Sequence, residues 1–79
     1  MADSDGRPVV GIKPLEVWVR MARLGFSQNG LARAIGRSPG HLSLVLNGRR
    51  NASPEMRANM LRELGANFDD LFYLEYPDE

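Results

Sequence analysis

The chain has 79 residues, 43% hydrophobic and 25% charged, and its ten Lys+Arg balance ten Asp+Glu at a formal net charge of zero. This length sets the expectation of one small domain, and the composition is that of a globular chain. With no Cys and one His, disulfides, thiolate sites, cysteine nucleophiles and multi-His metal sites are excluded.

Residues 1–11 contain Gly6, Pro8 and Gly11 among early acids and read as a flexible arm, with a short extended piece at Val9-Val10. A first helix is expected from about Pro14 to Leu24, since proline is tolerated in a first helical turn and Gly25 can end the helix. Leu15, Trp18 and Ala22 form one apolar stripe on it, and Val17, Met21 and Leu24 another. Both stripes are assigned to the core, Trp18 included. Ser27 is a suitable N-cap for a second helix over Gln28 to Ile35, with Leu31, Ala32 and Ile35 facing inward and Gly36 ending it.

Ser38-Pro39 repeats the cap-plus-proline arrangement and starts a third helix from Pro39 to Leu46. Leu42, Val45 and Leu46 point one way; Gly40, His41, Ser43 and Leu44 are left to the other faces. Asn47-Gly48 closes this helix, and Arg49-Arg50-Asn51-Ala52 makes a polar connection. Ser53-Pro54-Glu55 opens a fourth helix that runs to Leu64 and buries Met56, Met60, Leu61 and Leu64 before Gly65 stops it. Asn67 and Asp70 have capping-box spacing for a short fifth helix around Phe68 to Phe72. Tyr73 to Glu79 is an acidic tail, open to being a short strand or part of a dimer contact. The expected organisation is therefore an arm over 1–11, a helical domain over 12–72 and a tail over 73–79. Most of these helices are too short to persist alone, so they must pack into a mutual bundle.

The zero net charge hides a polarity along the chain. Residues 17–54 carry six Arg and no acid, whereas residues 63–79 carry six acids and no base. Such a basic middle could face a polyanion. Nine of the ten bases are Arg, whose guanidinium fork binds phosphate or guanine edges bidentately. Arg20 and Arg23 stand open to either a phosphate or the acidic tail. The longest uncharged run, Ser38 to Gly48, falls short of the roughly 20 apolar residues of a membrane span. No basic segment precedes an apolar stretch as in a signal peptide, so the cytoplasm is the expected compartment.

The stretch from Ser27 to Gly48 carries the most information. Ala32 is small where two helices must meet closely, Gly36 suits a turn residue at positive φ, and Leu42 can fill the angle between the helices. These residues, with Ser38-Pro39 and Asn47-Gly48 bounding the third helix, resemble the Cro and phage-repressor type of helix-turn-helix proteins, the XRE family. Ser27-Gln28, Leu31-Ala32, Leu42-Ser43, Leu64-Gly65 and Leu71-Phe72 extend the resemblance over about residues 14–72.

The resemblance implies a compact all-α, five-helix lambda-repressor-like fold. It also implies sequence-specific binding of double-stranded DNA with the third helix in the major groove, commonly as a homodimer that represses transcription at the nucleoid. By position, Gln28 would hydrogen-bond a phosphate, and Arg37, Ser38, Pro39, Gly40 and His41 would approach bases or backbone. Ser43 and Leu44 would lie along the groove floor, and Asn47, Arg49, Arg50 and Asn51 would grip the flanking phosphates. Free N–H groups at a helix start and Arg and Asn donors after its end suit these roles chemically. Gly40 and Leu44 depart from the polar residues usual in the family, and Leu46 stands where an acid is common. Direct base readout is therefore expected to be sparse, with His41, Ser43, Arg37 and DNA shape supplying specificity.

Neither a cofactor nor a small-molecule ligand is expected. Enzymatic function is not expected either: there is no Cys, no phosphate-cradling glycine loop and no acid in the basic middle to pair with His41. The competing expectation is a protein-interaction module on the same fold, an antitoxin or antirepressor, presenting Leu44 and Leu46 as an apolar patch.

Overall fold

A computed structural model describes residues 8–76. The order of elements is β1 (Val9–Ile12), α1 (Pro14–Leu24), α2 (Gln28–Ala34), α3 (Pro39–Leu46), α4 (Pro54–Leu64), α5 (Phe68–Leu71) and β2 (Phe72–Glu75). Local chemistry accounts for most of these boundaries. Ser27, Ser38 and Ser53 each accept a hydrogen bond from the backbone N–H three residues on, at 2.9, 3.1 and 3.1 Å. Each satisfies one donor that a helix start leaves unpaired. Proline occupies an early position in α1, α3 and α4, where its missing N–H costs nothing. The Asn67 N–H donates to Asp70 Oδ2 at 2.9 Å, one arm of the expected capping box.

The core is apolar throughout: among the described residues no polar or charged side chain is buried. Val17 and Met21 of α1 join Leu31, Ala32 and Ile35, then Leu42, Val45 and Leu46 of α3. Ala52, Met56, Met60, Leu64, Leu71 and Phe72 complete it, with Leu61 only partly buried at its margin.

The all-α expectation needs a correction. β1 and β2 pair antiparallel, with Val9 opposite Glu75, Val10 opposite Leu74, Gly11 opposite Tyr73 and Ile12 opposite Phe72. The described part of the expected arm and the start of the expected tail are thus strands of one small sheet. Residues 1–7 and 77–79 of those segments lie outside the described residues. Tyr73 lays its ring over Gly11, and a Cβ at that glycine would collide with it. Next to the sheet, the Lys13 N–H donates to the Leu71 carbonyl at 2.7 Å and Lys13 Nζ donates to the Asp69 carbonyl at 2.8 Å. The start of α1 is thereby tied to α5.

Two helix ends differ by a residue from expectation. Ile35 caps α2 rather than belonging to it, and Phe72 opens β2 rather than closing α5. The larger correction concerns α1. Its Val17/Met21 side is buried, but Trp18 is 42% exposed, Leu15 71% and Leu24 55%. α1 packs against α4 and α5. Those helices cover one side of it and leave the Leu15/Trp18/Ala22 side in solvent.

Candidate nucleic-acid interface

The α2–α3 unit depends on how the chain leaves α2. The Gly36 N–H donates to the Arg33 carbonyl at 3.1 Å and the Arg37 N–H to the Ala32 carbonyl at 2.9 Å, closing the helix end. Gly36 has φ +72°, a left-handed conformation that side chains with a Cβ resist. After this turn α3 packs on α2, with Ala32 and Leu42 fully buried. Gln28 adds a bridge that its sequence position alone did not indicate: Nε2 donates to the Pro39 carbonyl at 3.2 Å, joining the start of α2 to the start of α3.

Burial of Leu42, Val45 and Leu46 turns the rest of α3 outward. Ser38, Pro39, Gly40 and Asn47 are exposed, His41 and Ser43 half-buried, and Leu44 is 39% exposed. The expected apolar patch is therefore halved. Leu46 is only 4% exposed because it sits on the same side of α3 as Leu42 and Val45. Asn47 Nδ2 lies 3.4 Å from Ser43 Oγ, which braces two outward polar groups one turn apart.

Gly48 then turns the chain off α3, and the Arg49 N–H donates to the Leu44 carbonyl at 2.9 Å. Arg49, Arg50 and Asn51 follow with exposed side chains, and neither arginine joins an ion pair among the described residues. The connection is braced from α4, where Arg57 Nη1 donates to the Ala52 carbonyl at 2.8 Å. This is a local bond, reaching back five residues from the first turn of α4 to the residue before its cap.

The other arginines are engaged differently. Arg37 is half-buried; Nη1 donates to the Gly36 carbonyl at 3.2 Å, and Nη2 lies 4.0 Å from Glu55 Oε1 at the start of α4. Glu55 is 78% exposed, so the attraction is weak and screened. Arg20 turns away from the interface to Asp70, at 3.4 Å. One base of the basic middle is thus matched with one acid of the acidic segment, as its sequence position allowed.

The structure therefore sets ten of the twelve candidate residues, Ser38, Pro39, Gly40, His41, Ser43, Leu44, Asn47, Arg49, Arg50 and Asn51, with exposed or half-exposed side chains on α3 and its flanks. Gln28 is drawn to this group through Pro39, and Arg37 leans toward α4. The exposed face offers hydrogen-bond donors and positive charge; Glu55 faces Arg37, and Glu75 of β2 lines the same cleft as Asn47, Arg50 and Asn51. Among the described residues no group of three or more His, Cys, Asp or Glu could hold a metal ion. None of the described helices is long and apolar enough to cross a membrane.

No protein-family profile matches the chain. It is 41% identical over 59 residues to the HTH-type transcriptional regulator YvzC of Bacillus subtilis (strain 168), covering 75% of this chain and 77% of that protein. The chain belongs to the HTH-type transcriptional regulators. Two solved structures agree with the fold. The clp gene regulator ClgR from Corynebacterium glutamicum superposes with a TM-score of 0.64 at 33% identity over 72% of this chain. This chain spans 61% of that ClgR chain. The transcriptional regulator VanUg superposes with a TM-score of 0.65 over 87% of this chain and 91% of its own; at 16% identity it supports the fold alone. This regulator therefore carries its helix-turn-helix unit in α2 and α3 of a five-helix domain closed by a two-stranded sheet.

Proposed function

We propose that this regulator is a Cro-like repressor that occupies an operator as a homodimer, with α3 in the major groove of double-stranded DNA. The observation that carries the reading is the surface from Ser38 to Asn51. It offers an outward helix face and two exposed arginines that no ion pair occupies among the described residues. On this reading Arg49, Arg50, Asn51 and Asn47 hold the phosphate backbone, and such contacts set register and most of the affinity. Gln28 supports a phosphate contact at the start of α2 while its amide holds the Pro39 carbonyl. His41 and Ser43 supply hydrogen bonds to base edges. Leu44 offers only an apolar surface, suited to a thymine methyl.

Gly40 contributes close approach rather than readout, since a Cβ there would meet nothing within 4 Å. Arg37 would leave Glu55 for a phosphate or base at little cost, because the exposed pair it gives up is weak. The sparse set of base-reading side chains places much of the specificity in DNA shape.

The test is selection of bound sites from random duplexes, followed by measurement of His41→Ala and Ser43→Ala on the selected site and on random DNA. The expected result is an inverted repeat with half-sites about one helical turn apart, and a larger loss on the selected site than on random DNA. No enrichment, or equal losses on both DNAs, would refute base reading by α3.

A further inference from the structure

The outer side of α1 is an apolar stripe that nothing in the described chain covers. Leu15, Trp18, Val19 and Ala22 are spaced i, i+3, i+4 and i+7, the spacing by which one side of a helix packs against another helix. All four are exposed, with Leu15 at 71%, Trp18 at 42% and Val19 at 39%. Val17 and Met21, on the side turned to the core, are at 0% and 2%. α1 thus has two apolar sides, only one of which this domain uses.

The charges beside the stripe say what covers it. On an α-helix at about 100° per residue, one border of the stripe is the domain itself, through Met21. The other border carries Glu16 and Arg23. Both are exposed, and neither forms an ion pair among the described residues. They cannot pair with each other, because seven residues separate them by about 10 Å along the axis. Arg20, one turn beyond Glu16, is turned to Asp70.

Opposite charges two turns apart on one border are self-complementary under a two-fold axis. When two such helices lie antiparallel, stripe against stripe, each border faces the same border of the partner. Glu16 of either copy then meets Arg23 of the other, twice per dimer. A parallel arrangement would not create this reciprocal match.

The geometry points to α1 as the self-association surface of this regulator, packed antiparallel on α1 of a second copy through Leu15, Trp18, Val19 and Ala22, with reciprocal Glu16–Arg23 pairs. The inference takes from the proposed function only the expectation of a second copy, and it names the surface that supplies it. A stripe of four side chains covers less than the about 800 Å² per partner of a standard stable interface. Free dimers are therefore weak, and two adjacent half-sites on DNA would favour them by raising effective concentration.

Sedimentation equilibrium of the full chain without DNA, over about 10 μM to 1 mM, tests this directly. The wild type should show a monomer–dimer equilibrium, with the emission of Trp18, the chain's one Trp, shifting to the blue as the dimer forms. Glu16→Arg alone and Arg23→Glu alone each convert two attractions into two repulsions, and each should weaken the dimer about tenfold. The combined Glu16→Arg/Arg23→Glu variant should restore it, and an equimolar mixture of the two single variants should form heterodimers. Val19→Lys should leave the chain folded by circular dichroism and monomeric.

A wild type that stays monomeric to the top of the range would overturn the inference. So would a dimer indifferent to either single reversal, or a combined variant no better than the singles. Retention on random DNA at low salt, measured on the same proteins, is scored separately. A DNA-binding monomer would sink this surface and leave the DNA-binding part of the functional reading standing; a dimer that ignores DNA would do the reverse.

Discussion

Removing Arg49 or Arg50 isolates the electrostatic part of the proposed DNA contact. Both side chains are exposed and outside any ion pair among the described residues. The backbone at 49 is held by its N–H bond to the Leu44 carbonyl, which alanine keeps. Arg49→Ala and Arg50→Ala should therefore change folding stability by no more than about 0.5 kcal/mol. Their effect on DNA should be much larger.

If Arg37, Arg49 and Arg50 each neutralise one phosphate, a dimer neutralises about six, and log K should fall with log salt at a slope of about −5.4. A fourfold rise in salt then weakens binding by about 1,800-fold. Either alanine variant removes two of the six contacts, the slope falls to about −3.6, and the same rise in salt costs only about 150-fold. Fluorescence anisotropy on a labelled duplex between about 50 and 200 mM salt separates these values, on random and selected sequences alike. An unchanged slope in both variants, with both proteins folded, would take the two arginines off the phosphate-contact list and refute the reasoning.

Other expectations concern the glycines and their neighbours. Gly36→Ala should cost about 1 kcal/mol, because the φ of +72° strains any residue with a Cβ although the space is open; chemical denaturation with an unchanged m-value checks it. Gly40→Ala should do the opposite. It sits in the first turn of α3 with open space around it, so stability should rise by about 0.5 kcal/mol in the same assay, and a loss would indicate a contact not present here. Gly11→Ala should destabilise the sheet by no more than about 1 kcal/mol, because the atoms it meets are the outer end of the exposed Tyr73 ring, which can swing aside; adding Tyr73→Ala should remove that clash, and a larger loss that persists in the double variant would place the strain elsewhere.

The local grammar of this chain is legible in its sequence. Serine caps with proline behind them, glycines at helix ends and apolar residues three and four apart are short-range devices whose effects stay within a turn or two. They set the bounds of α1, α3 and α4, and they turn α3 outward by burying Leu42, Val45 and Leu46. The long-range decisions were not local. Val9–Ile12 and Phe72–Glu75 become strands because each supplies the other's hydrogen bonds across about sixty intervening residues. Neither four-residue segment carries a strong alternation of its own.

Tertiary packing also sorted the side chains that sequence treats alike. Trp18 and Val17 are neighbours on one apolar helix, but α4 and α5 cover only the side that holds Val17 and Met21. Gln28 reaches Pro39 across the α2–α3 turn, and Arg37 meets Glu55 at the start of α4, because folding brings these separated segments together. Periodicity states which faces of a helix are apolar. Which of those faces is buried depends on how many neighbours the fold can bring to it.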